Sequence, residues 1–461
     1  MSKFSVGIIG GGPGGYVAAI RLNQYGIDTV VFEKERLGGV CLNTGCIPTK
    51  SLVKVAELYS EIKNSKNFGI NVENSSLDFP AIMQRKDDVV NRLVSGVEFI
   101  FKKRKIPTIK KEVTKVEKIQ DGYKISVAEE EYFVKYLVIA TGSESKELPG
   151  FEFDGENILS STDILSLKEL PEHITVIGGG VVGCEFASVL NEFGCRTEVV
   201  EFLPKLVFNE DEEVSKRLAM TMKKAKIKLH LKAGAQSWEK VAGKIKLNLT
   251  NGKEIITDKI LLSVGRVPVC VVDSVEKENG FVSIDDEMRT NLKNVFAIGD
   301  VTGKLMLAHT ASKQGLIVAN IIQNELQGTK NDILKLNYDN IPKCTFTHPE
   351  IGSVGLTEAK AKEAGFEILV GKFPFSANGK ALGMGNTAGF TKVIADLETK
   401  KILGVHIIGP NATELIAQAT AFIGLEANIE KVNEIVFAHP TLSETVMEAV
   451  EDLEKLAIHI L

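Results

Sequence analysis

The pattern of apolar residues repeats in two stretches of the chain, and each stretch predicts a strand, a helix and a second strand. In the first stretch, apolar runs at 4–9 and 29–32 predict buried strands, with a helical pattern between them. In the second, the corresponding runs lie at 173–177 and 197–200, again around a helical pattern. Strands that alternate with helices in this way predict an α/β fold with parallel sheets.

Each repeat carries the glycine pattern G-x-G-x-x-G between its first strand and its helix. The glycines of the two loops are Gly10, Gly12, Gly14 and Gly15 in the first and Gly178, Gly179, Gly180 and Gly183 in the second. The helix stops at a glycine, Gly26 or Gly194, 16 positions after the first glycine of its loop. An acidic residue, Glu33 or Glu201, follows 23 positions after the same glycine. One such loop is weak evidence, because glycine loops are common, but two copies in register indicate two dinucleotide-binding sites.

The residue types in each loop suit the phosphates and the sugar of a dinucleotide. The first glycine permits a tight turn, the second lets a pyrophosphate approach the backbone, and the third lets helix and strand pack closely. The helix points its free N–H groups at the phosphates, and Glu33 or Glu201 would accept hydrogen bonds from ribose hydroxyls. Glu201 would also repel a 2′-phosphate, and no arginine follows it at 202–203. We therefore expect the second site to prefer NAD to NADP.

Two cysteines lie five residues apart, shortly after the first predicted nucleotide loop. In a regular helix, Cys41 and Cys46 would be roughly 8–9 Å apart at Cα, whereas a disulfide spans at most about 7 Å. A bond between them therefore requires an irregular turn. Gly45 would relax the backbone there, and Pro48 lacks the N–H that would bond back to Thr44. Two dinucleotide sites that flank a thiol pair suggest FAD at the first site and a nicotinamide cofactor at the second.

Length and composition narrow the class of protein. The 461 residues are enough for about three domains, and 44% hydrophobic with 25% charged residues is ordinary for a globular chain. A net charge of −5 gives no reason to expect binding to nucleic acid or to a membrane. The chain has no apolar run of membrane-spanning length and no cleavable signal pattern, so we expect a cytoplasmic protein.

The cysteine content leaves two interpretations of the pair open. In a cytosolic chain, a close cysteine pair is redox-catalytic or metal-binding more often than structural. The metal interpretation needs further ligands, and the other four cysteines are scattered singly without a nearby histidine cluster. We therefore expect no metal site.

Three further predicted strands end in residues that suit nucleotide contacts. The strands at 137–140, 261–264 and 295–298 run into Thr141 and Gly142, into Gly265, and into Gly299 and Asp300. A carboxylate at the end of a buried strand could bind the ribityl chain of a flavin. A plain turn aspartate is the alternative interpretation of Asp300.

These motifs closely resemble those of the two-dinucleotide flavoprotein disulfide reductases, over essentially the whole chain. The resemblance rests on the segments 10–16, 38–50, 178–185, 296–300, 307–309 and 439–444. It implies an FAD-binding region at 1–145 and 270–340, an NAD-binding domain inserted at 146–269, and an α+β dimerisation domain at 341–461. The chain departs from the family at Val269, where members usually carry asparagine after Gly-Arg-x-Pro.

The resemblance also assigns roles to the thiol segment. It makes Cys41 the thiol that exchanges with substrate and Cys46 the thiol that contacts the flavin. Lys50 would lie beside the flavin, paired with Glu185, although a solvated helical lysine is the alternative when the motif is set aside. Ala308 would also contact FAD.

The segment near the C-terminus supplies the expected general base. By resemblance, His439 takes the proton of a substrate thiol and Glu444 holds its other ring nitrogen, as a base and its orienting group do elsewhere. The pattern from Thr441 to Glu444 also predicts a capping box at a helix start, so Glu444 could serve only as a cap. In the family this histidine reaches the disulfide of the other subunit, which implies a homodimer.

Within the family, the resemblance is closest to the members that oxidise protein-bound dihydrolipoamide to lipoamide and reduce NAD to NADH. It implies tightly bound FAD, NAD as a co-substrate, and lipoyl-bearing acyltransferase or carrier subunits of a 2-oxo-acid dehydrogenase or glycine cleavage complex as partners. Another NAD(P)H-dependent disulfide reductase and a non-catalytic FAD-binding subunit are the alternatives.

Overall fold

The computed structural model describes residues 2–461, which form two compact units, each assembled from separate segments of the chain. The first unit comprises 2–51, Met83–Lys146 and Gly265–Tyr338, and the second comprises Leu52–Ile82, Glu147–Val264 and Asp339–Leu461. The two predicted repeats therefore fall in different units, and the long helices Cys46–Lys63 and Phe79–Arg104 each contribute to both.

A seven-stranded sheet organises the first unit. Its centre is Ser2–Ile9, which pairs in parallel with Thr29–Phe32 on one side and Glu130–Ile139 on the other. Val295–Ala297 also pairs in parallel with Glu130–Ile139. Thr108–Ile109, Lys115–Ile119 and Gly122–Val127 complete the sheet. Because the four central strands run in parallel, the residues that follow them gather at one edge.

Small residues bring two helices of the first unit close together. Pro13–Gln24 and Ala308–Gln327 pack against each other. A Cβ built at Gly315 would lie 2.6 Å from the carbonyl oxygen of Gly14, so Gly315 cannot carry a side chain without separating the helices. The remaining elements of the unit are the helix Gly39–Thr44, the 3₁₀ turn Gly299–Thr302, and the strand pairs Ser143–Ser145 with Arg266–Pro268 and Lys277–Glu278 with Phe281–Val282.

The second unit contains a parallel sheet built around the second repeat. Its strands, in spatial order, are Lys228–Leu231, Arg196–Glu201, His173–Ile177, Lys259–Leu262 and Ile158–Leu159. Val181–Glu192 and Glu212–Lys224 are its helices. Ala235–Val241, Lys244–Leu249 and Glu254–Thr257 form a small antiparallel sheet.

An antiparallel sheet and its helices complete the second unit. The strands, in spatial order, are Lys343–Thr345, Glu350–Gly355, Ile402–Gly409, Phe390–Asp396 and Ile368–Pro374. The helices are Glu358–Glu363, Gly379–Gly383, Ala412–Gly424, Ile429–Asn433 and Glu444–Glu451. The 3₁₀ turns are Ser65–Phe68, Asp163–Ser166, Tyr338–Asn340, Phe375–Ala377 and Asp452–Glu454. One continuous apolar core joins this sheet to the helices Ala412–Gly424 and Glu444–Glu451.

The predicted fold class is confirmed: two parallel nucleotide-binding sheets and a C-terminal α+β region are present. The first repeat shows the expected helix end, since Pro13–Gln24 is followed by Gly26 with φ of +73°. The boundaries of the three predicted domains stay a prediction. Among the described residues, the helices are either too short or too polar to cross a bilayer.

A fully buried lysine links the antiparallel sheet to the nucleotide-binding part of the second unit. Lys392 is 1% exposed, and its Nζ lies 3.1 Å from Asp211 Oδ1, 3.1 Å from Glu213 Oε1 and 2.8 Å from Glu358 Oε2. Asp211 also caps the helix Glu212–Lys224 by accepting a hydrogen bond from Glu213 N. Burial lowers the pKa of Lys392, but the surrounding carboxylates outweigh burial and raise it above its ordinary value. A permanent cation is therefore built into this junction.

We predict that Lys392→Met destabilises the second unit by about 3–5 kcal/mol, because it leaves the buried carboxylate of Asp211 without its lysine counter-charge. The measurement is urea unfolding followed by the fluorescence of Trp238, the single tryptophan, which lies in this unit. Lys362→Met is the matched control, because Lys362 pairs with the same Glu358 but is 60% exposed. The control should cost less than about 1 kcal/mol.

The difference between wild type and Lys392→Met should shrink in acid. Hydrogen bonds from Lys362 and Lys392 lower the pKa of Glu358 to about 2. A carboxyl group with a lowered pKa stabilises the fold above its unfolded pKa and loses that contribution as the pH falls through its folded pKa. The destabilisation should therefore be full at pH 7 and decline between about pH 4 and pH 2. A loss that does not depend on pH would contradict the role given to the carboxylates.

Candidate active site

The first glycine loop lies at the carboxyl edge of the seven-stranded sheet, and two of its glycines are required by the protein itself. Gly10 has φ of +102°, and a Cβ there would lie 2.2 Å from the carbonyl oxygen of Ala140. A Cβ at Gly15 would lie 1.9 Å from the carbonyl oxygen of Gly10. Both positions exclude any side chain, because the strand, the turn and the helix meet there.

The second loop repeats this geometry in the other unit. Gly178 has φ of +111°, and a Cβ there would lie 2.2 Å from the carbonyl oxygen of Ser263. A Cβ at Gly183 would lie 2.0 Å from the carbonyl oxygen of Gly178. The repeat seen in the sequence is therefore a repeat of close backbone contacts.

The middle glycine of each loop has no such requirement within the protein. Gly12 and Gly180 are helix N-caps with φ of −69° and −74°, a conformation open to any residue. A Cβ at Gly12 would meet its nearest atom, Gly39 Cα, at 3.9 Å, and a Cβ at Gly180 would meet nothing within 4 Å. Neither backbone conformation nor packing within the protein requires glycine at these two positions. The close approach of a ligand does require it, so both loops fit the pyrophosphate of a dinucleotide.

The acidic residue of each repeat is fixed by the backbone of its glycine loop. Glu33 Oε2 accepts a hydrogen bond from Gly11 N at 2.7 Å, and Oε1 accepts one from Glu35 N at 2.8 Å. Glu201 does the same with Gly179 N at 2.6 Å and Leu203 N at 2.7 Å. The fold of each repeat brings the acidic residue to its glycine loop. The hydrogen bonds between them hold each carboxylate beside the loop, where a nucleotide ribose would lie.

The other residues predicted for FAD lie in the first unit, after strands that end at the same edge of its sheet. Thr141 and Gly142 follow Glu130–Ile139, and both contact the backbone of Val269. These contacts use only main-chain atoms of Val269, so its departure from asparagine does not affect them. Asp300 lies in the turn after Val295–Ala297, and Ala308 is the first residue of a 20-residue helix.

A hydrogen-bonded network, missed by the sequence analysis, orients Asp300. Ser143 Oγ donates to Asp300 Oδ2 at 2.6 Å, and Arg266 donates to Ser143 through Nε at 2.7 Å and Nη2 at 2.6 Å. Burial lowers the pKa of Arg266, although the charges of Asp300 and Cys46 act in the opposite direction. The guanidinium is therefore a partly buried cation close to both groups. Its position after Gly265 in the Gly-Arg-x-Pro motif was the available signal.

The two cysteines lie on either side of a break between two helices. Cys41 belongs to Gly39–Thr44, and Cys46 is the first residue of Cys46–Lys63. Gly45 between them has φ of −142° and ψ of −106°, outside the helical region, which is the irregular turn expected from the sequence. A Cβ at Gly45 would lie 2.9 Å from the carbonyl oxygen of Val40, so a larger residue would push the helices apart.

The break brings the two thiols into direct contact. The structure holds the pair in the dithiol form, and the two side chains hydrogen-bond each other. This hydrogen bond and burial raise the pKa of Cys41, while the charge of Lys50 lowers it to a smaller extent. Cys41 therefore keeps its proton in the dithiol. Tyr16 lies near Cys41, and burial raises the pKa of Tyr16 above its ordinary value.

The pairing of Lys50 with Glu185 stays a prediction. Lys50 lies in the first unit, one helical turn after Cys46. Glu185 is 4% exposed in the second unit, and its Oε1 accepts a hydrogen bond from Phe346 N at 2.9 Å. Gly265 lies in the first unit with φ of +118°, whereas the other residues predicted for NAD lie in the second.

The histidine–glutamate pair near the C-terminus combines the two roles considered for Glu444. Its Oε1 lies 2.8 Å from His439 Nδ1, and its Oε2 accepts a hydrogen bond from Thr441 N at 2.8 Å. One oxygen thus orients the histidine while the other caps the chain before Glu444–Glu451. With Nδ1 donating to the carboxylate, the Nε2 lone pair of His439 is left to accept a proton. The ring is 79% exposed, so a thiol can reach it.

Comparisons with known families and proteins agree with this geometry. The chain matches the family described as Pyridine nucleotide-disulphide oxidoreductase over residues 4–315, and the dimerisation domain of that family over residues 341–450. It is 38% identical to dihydrolipoyl dehydrogenase of Bacillus subtilis (strain 168), over 99% of each chain. It is 40% identical to the mitochondrial dihydrolipoyl dehydrogenase 1 of Arabidopsis thaliana, over 98% of this chain and 91% of that protein.

Solved structures share the fold across the whole chain. LpdA from Mycobacterium tuberculosis superposes with a TM-score of 0.89 at 23% identity, covering 98% of this chain and 100% of that one. RclA from Escherichia coli, an HOCl-induced flavoprotein disulfide reductase, superposes with a TM-score of 0.84 at 26% identity, covering 97% and 99%.

We predict that Gly180→Ala weakens NAD binding without disturbing the fold, because the added methyl meets no protein atom within 4 Å. The KM for NAD should rise at least about tenfold, which corresponds to about 1.4 kcal/mol. FAD content and thermal stability should stay at the wild-type level. Gly96→Ala is the matched control, since its methyl also meets nothing within 4 Å. Gly96 lies on an exposed face of the helix Phe79–Arg104, outside both glycine loops. An unchanged KM for Gly180→Ala would count against the nucleotide site.

Proposed function

The chain belongs to the pyridine nucleotide-disulphide oxidoreductase family, and from this we propose that it is a dihydrolipoyl dehydrogenase, which oxidises dihydrolipoamide to lipoamide and reduces NAD to NADH. The observation that carries the proposal is the direct contact of Cys41 and Cys46, two thiols placed to form and break one disulfide. The near full-length identity to dihydrolipoyl dehydrogenases supports the choice of substrate.

The thiol chemistry is an exchange between two dithiol–disulfide couples. One thiol of dihydrolipoamide, as its thiolate, attacks Cys41 Sγ of the Cys41–Cys46 disulfide and releases Cys46 as a thiolate. The second substrate thiol then attacks the mixed disulfide, which releases lipoamide and leaves Cys41 reduced. The substrate loses two electrons and the cysteine pair gains them.

His439 supplies and removes the proton for this exchange. A substrate thiol is mostly protonated at neutral pH, and only its thiolate attacks efficiently. Nε2 of His439 accepts that proton, and the Glu444 carboxylate at Nδ1 stabilises the resulting imidazolium. We propose that His439 serves the thiol pair of the other subunit in a homodimer. The match to the dimerisation domain, which includes His439 and Glu444, supports this arrangement.

The residues at the sheet edges hold the two cofactors. FAD would be bound by the first glycine loop, Glu33, Thr141, Gly142, Asp300 and Ala308, with Lys50 beside it. NAD would be bound by the second glycine loop and Glu201, whose carboxylate disfavours a 2′-phosphate. When bound there, FAD would supply a two-electron acceptor for the cysteine dithiol, and NAD would supply the final hydride acceptor.

Partners and location follow from the same proposal. A dihydrolipoyl dehydrogenase receives its substrate on a lipoyl-bearing acyltransferase or carrier subunit, so we propose such subunits of a 2-oxo-acid dehydrogenase or glycine cleavage complex as partners. The cytoplasmic location expected from the sequence stays a prediction, and the similar proteins include a mitochondrial one.

The proposal is tested by assaying the purified protein, loaded with FAD, for NAD reduction driven by dihydrolipoamide. Activity with NAD, and little with NADP, is the expected result. A second measurement counts thiols in the denatured protein before and after anaerobic reduction with dihydrolipoamide. The reduced protein should show two more thiols per chain. Activity only with another disulfide would favour a different reductase of the family, and FAD binding without any disulfide reduction would favour a non-catalytic subunit.

We predict that Cys46→Ser keeps FAD but loses lipoamide turnover by at least about 1,000-fold, because no disulfide can form. Oxidation of NADH by a quinone should persist, since that reaction bypasses the thiols. Cys270→Ser is the matched control, because Cys270 lies outside the thiol segment and, like Cys46, is not fully buried. Lipoamide turnover near the wild-type rate in Cys46→Ser would overturn the assignment.

A further inference from the structure

The C-terminal tail returns to the helix that begins at the proposed active-site glutamate. His459 Nδ1 forms a short hydrogen bond with Glu448 Oε1. Glu448 Oε2 accepts hydrogen bonds from the backbone N–H groups of Ile458 at 2.9 Å and His459 at 3.3 Å. The Glu448 side chain is 3% exposed, whereas that of His459 is 67% exposed. A buried carboxylate therefore holds both the tail and its histidine ring.

This contact places a second histidine–carboxylate pair beside the first. Glu444 and Glu448 lie four positions apart on the helix Glu444–Glu451, so their side chains are neighbours on one face. Glu444 holds His439 and Glu448 holds His459. The two pairs are therefore separated by one helical turn.

The helix concentrates negative charge where the base must work. Glu444, Glu448 and Glu451 all lie within two turns. Burial and the charge of Glu448 raise the pKa of Glu451. Carboxylates near an imidazole favour its protonated form, and a base that is already protonated cannot accept a proton from a thiol.

His459 is held against these carboxylates and is a cation when its ring is protonated. The hydrogen bond and charge of Glu448 raise the pKa of His459, and the charges of Glu444 and Glu451 add to the effect. Burial raises the pKa of Glu444, but its hydrogen bonds with Thr441 N–H and His439 outweigh burial and lower it. The charge of His459 lowers the pKa of Glu444 further, by a smaller amount.

Other charged groups on the elements packed against this helix are engaged elsewhere. Lys372 pairs with Glu213, Lys392 with Asp211, Glu213 and Glu358, Lys431 with Glu434, Lys455 with Asp452, and Asp396 accepts hydrogen bonds from Thr399. Among the described residues, His459 is thus the group that can place a positive charge beside the three glutamates.

We propose that His459, held by Glu448, is a positioning residue whose positive charge beside Glu444 keeps His439 neutral and able to accept the substrate proton. The inference rests on the proposed function, since it concerns the same proton transfer. His459 does not contact the reacting atoms, and it acts through the charge balance around Glu444.

The test is the pH profile of kcat/KM for dihydrolipoamide in His459→Asn. Asparagine can still donate a hydrogen bond to Glu448, so the tail stays anchored while the charge is lost. Without that charge, the nearby carboxylates should favour the protonated ring of the base, so the acidic limb of the profile should move to higher pH by about half a unit. Activity at pH 6 should then fall about threefold relative to wild type, with little change at pH 8.

Two further variants separate charge from anchoring. His459→Lys restores a cation and should return the acidic limb toward its wild-type position. Lys455→Gln removes a cation of the same segment that pairs with Asp452 at 3.2 Å, and it should leave the limb unchanged. Oxidation of NADH by a quinone, which bypasses the base, should keep the same pH profile in all variants.

The outcomes distinguish this inference from the proposed function. An unshifted limb in His459→Asn, or an equal loss at every pH together with a lower melting temperature, would overturn the positioning role and leave His459 as a tail anchor. Absence of dihydrolipoamide oxidation in the wild-type protein would instead overturn the proposed function itself.

Discussion

The exclusion of side chains at the two glycine turns is the constraint on which the molecule depends. At Gly10, Gly15, Gly178 and Gly183, a Cβ would lie within about 2 Å of a neighbouring carbonyl oxygen. This tightness sets the helix against the end of its strand, and the helix N-terminus then faces the place where phosphates bind. The same turns position Glu33 and Glu201 through the N–H groups of Gly11 and Gly179. The same packing arrangement, used twice, thus shapes both of the proposed nucleotide sites.

Charges in the second unit are balanced around buried carboxylates and a buried lysine. Lys392 forms ion pairs with three acidic groups where the nucleotide-binding segment meets the antiparallel sheet. Glu448 accepts a hydrogen bond from the backbone of the C-terminal tail, and Glu444 forms a hydrogen bond with the histidine that we propose as the base. In each case a carboxylate accepts hydrogen bonds from more than one donor and so fixes the groups around it. Positional accuracy in this unit therefore comes from acidic residues held by several donors at once.

The sequence was sufficient where function depends on local spacing. The glycine loops, the acids at a fixed distance from them and the break at Gly45 were all predicted, because turns and helix starts are set by neighbouring residues. The network of Arg266, Ser143 and Asp300 was missed, as was the contact of His459 with Glu448, because both join segments that only the folded chain brings together. For Glu444 the sequence offered two alternatives, and the structure uses both, one on each oxygen.

The shared carboxylate of Glu444 ties the integrity of a helix end to proton transfer. Helix termini fray more readily than helix interiors, since their first turn lacks a full set of internal hydrogen bonds. If the turn at Thr441 opens, Glu444 loses its backbone donor, and the orientation of His439 is lost with it. The orientation of the proposed base therefore depends on the local opening of the turn from Thr441 to Glu444, which can precede unfolding of the buried part of the helix.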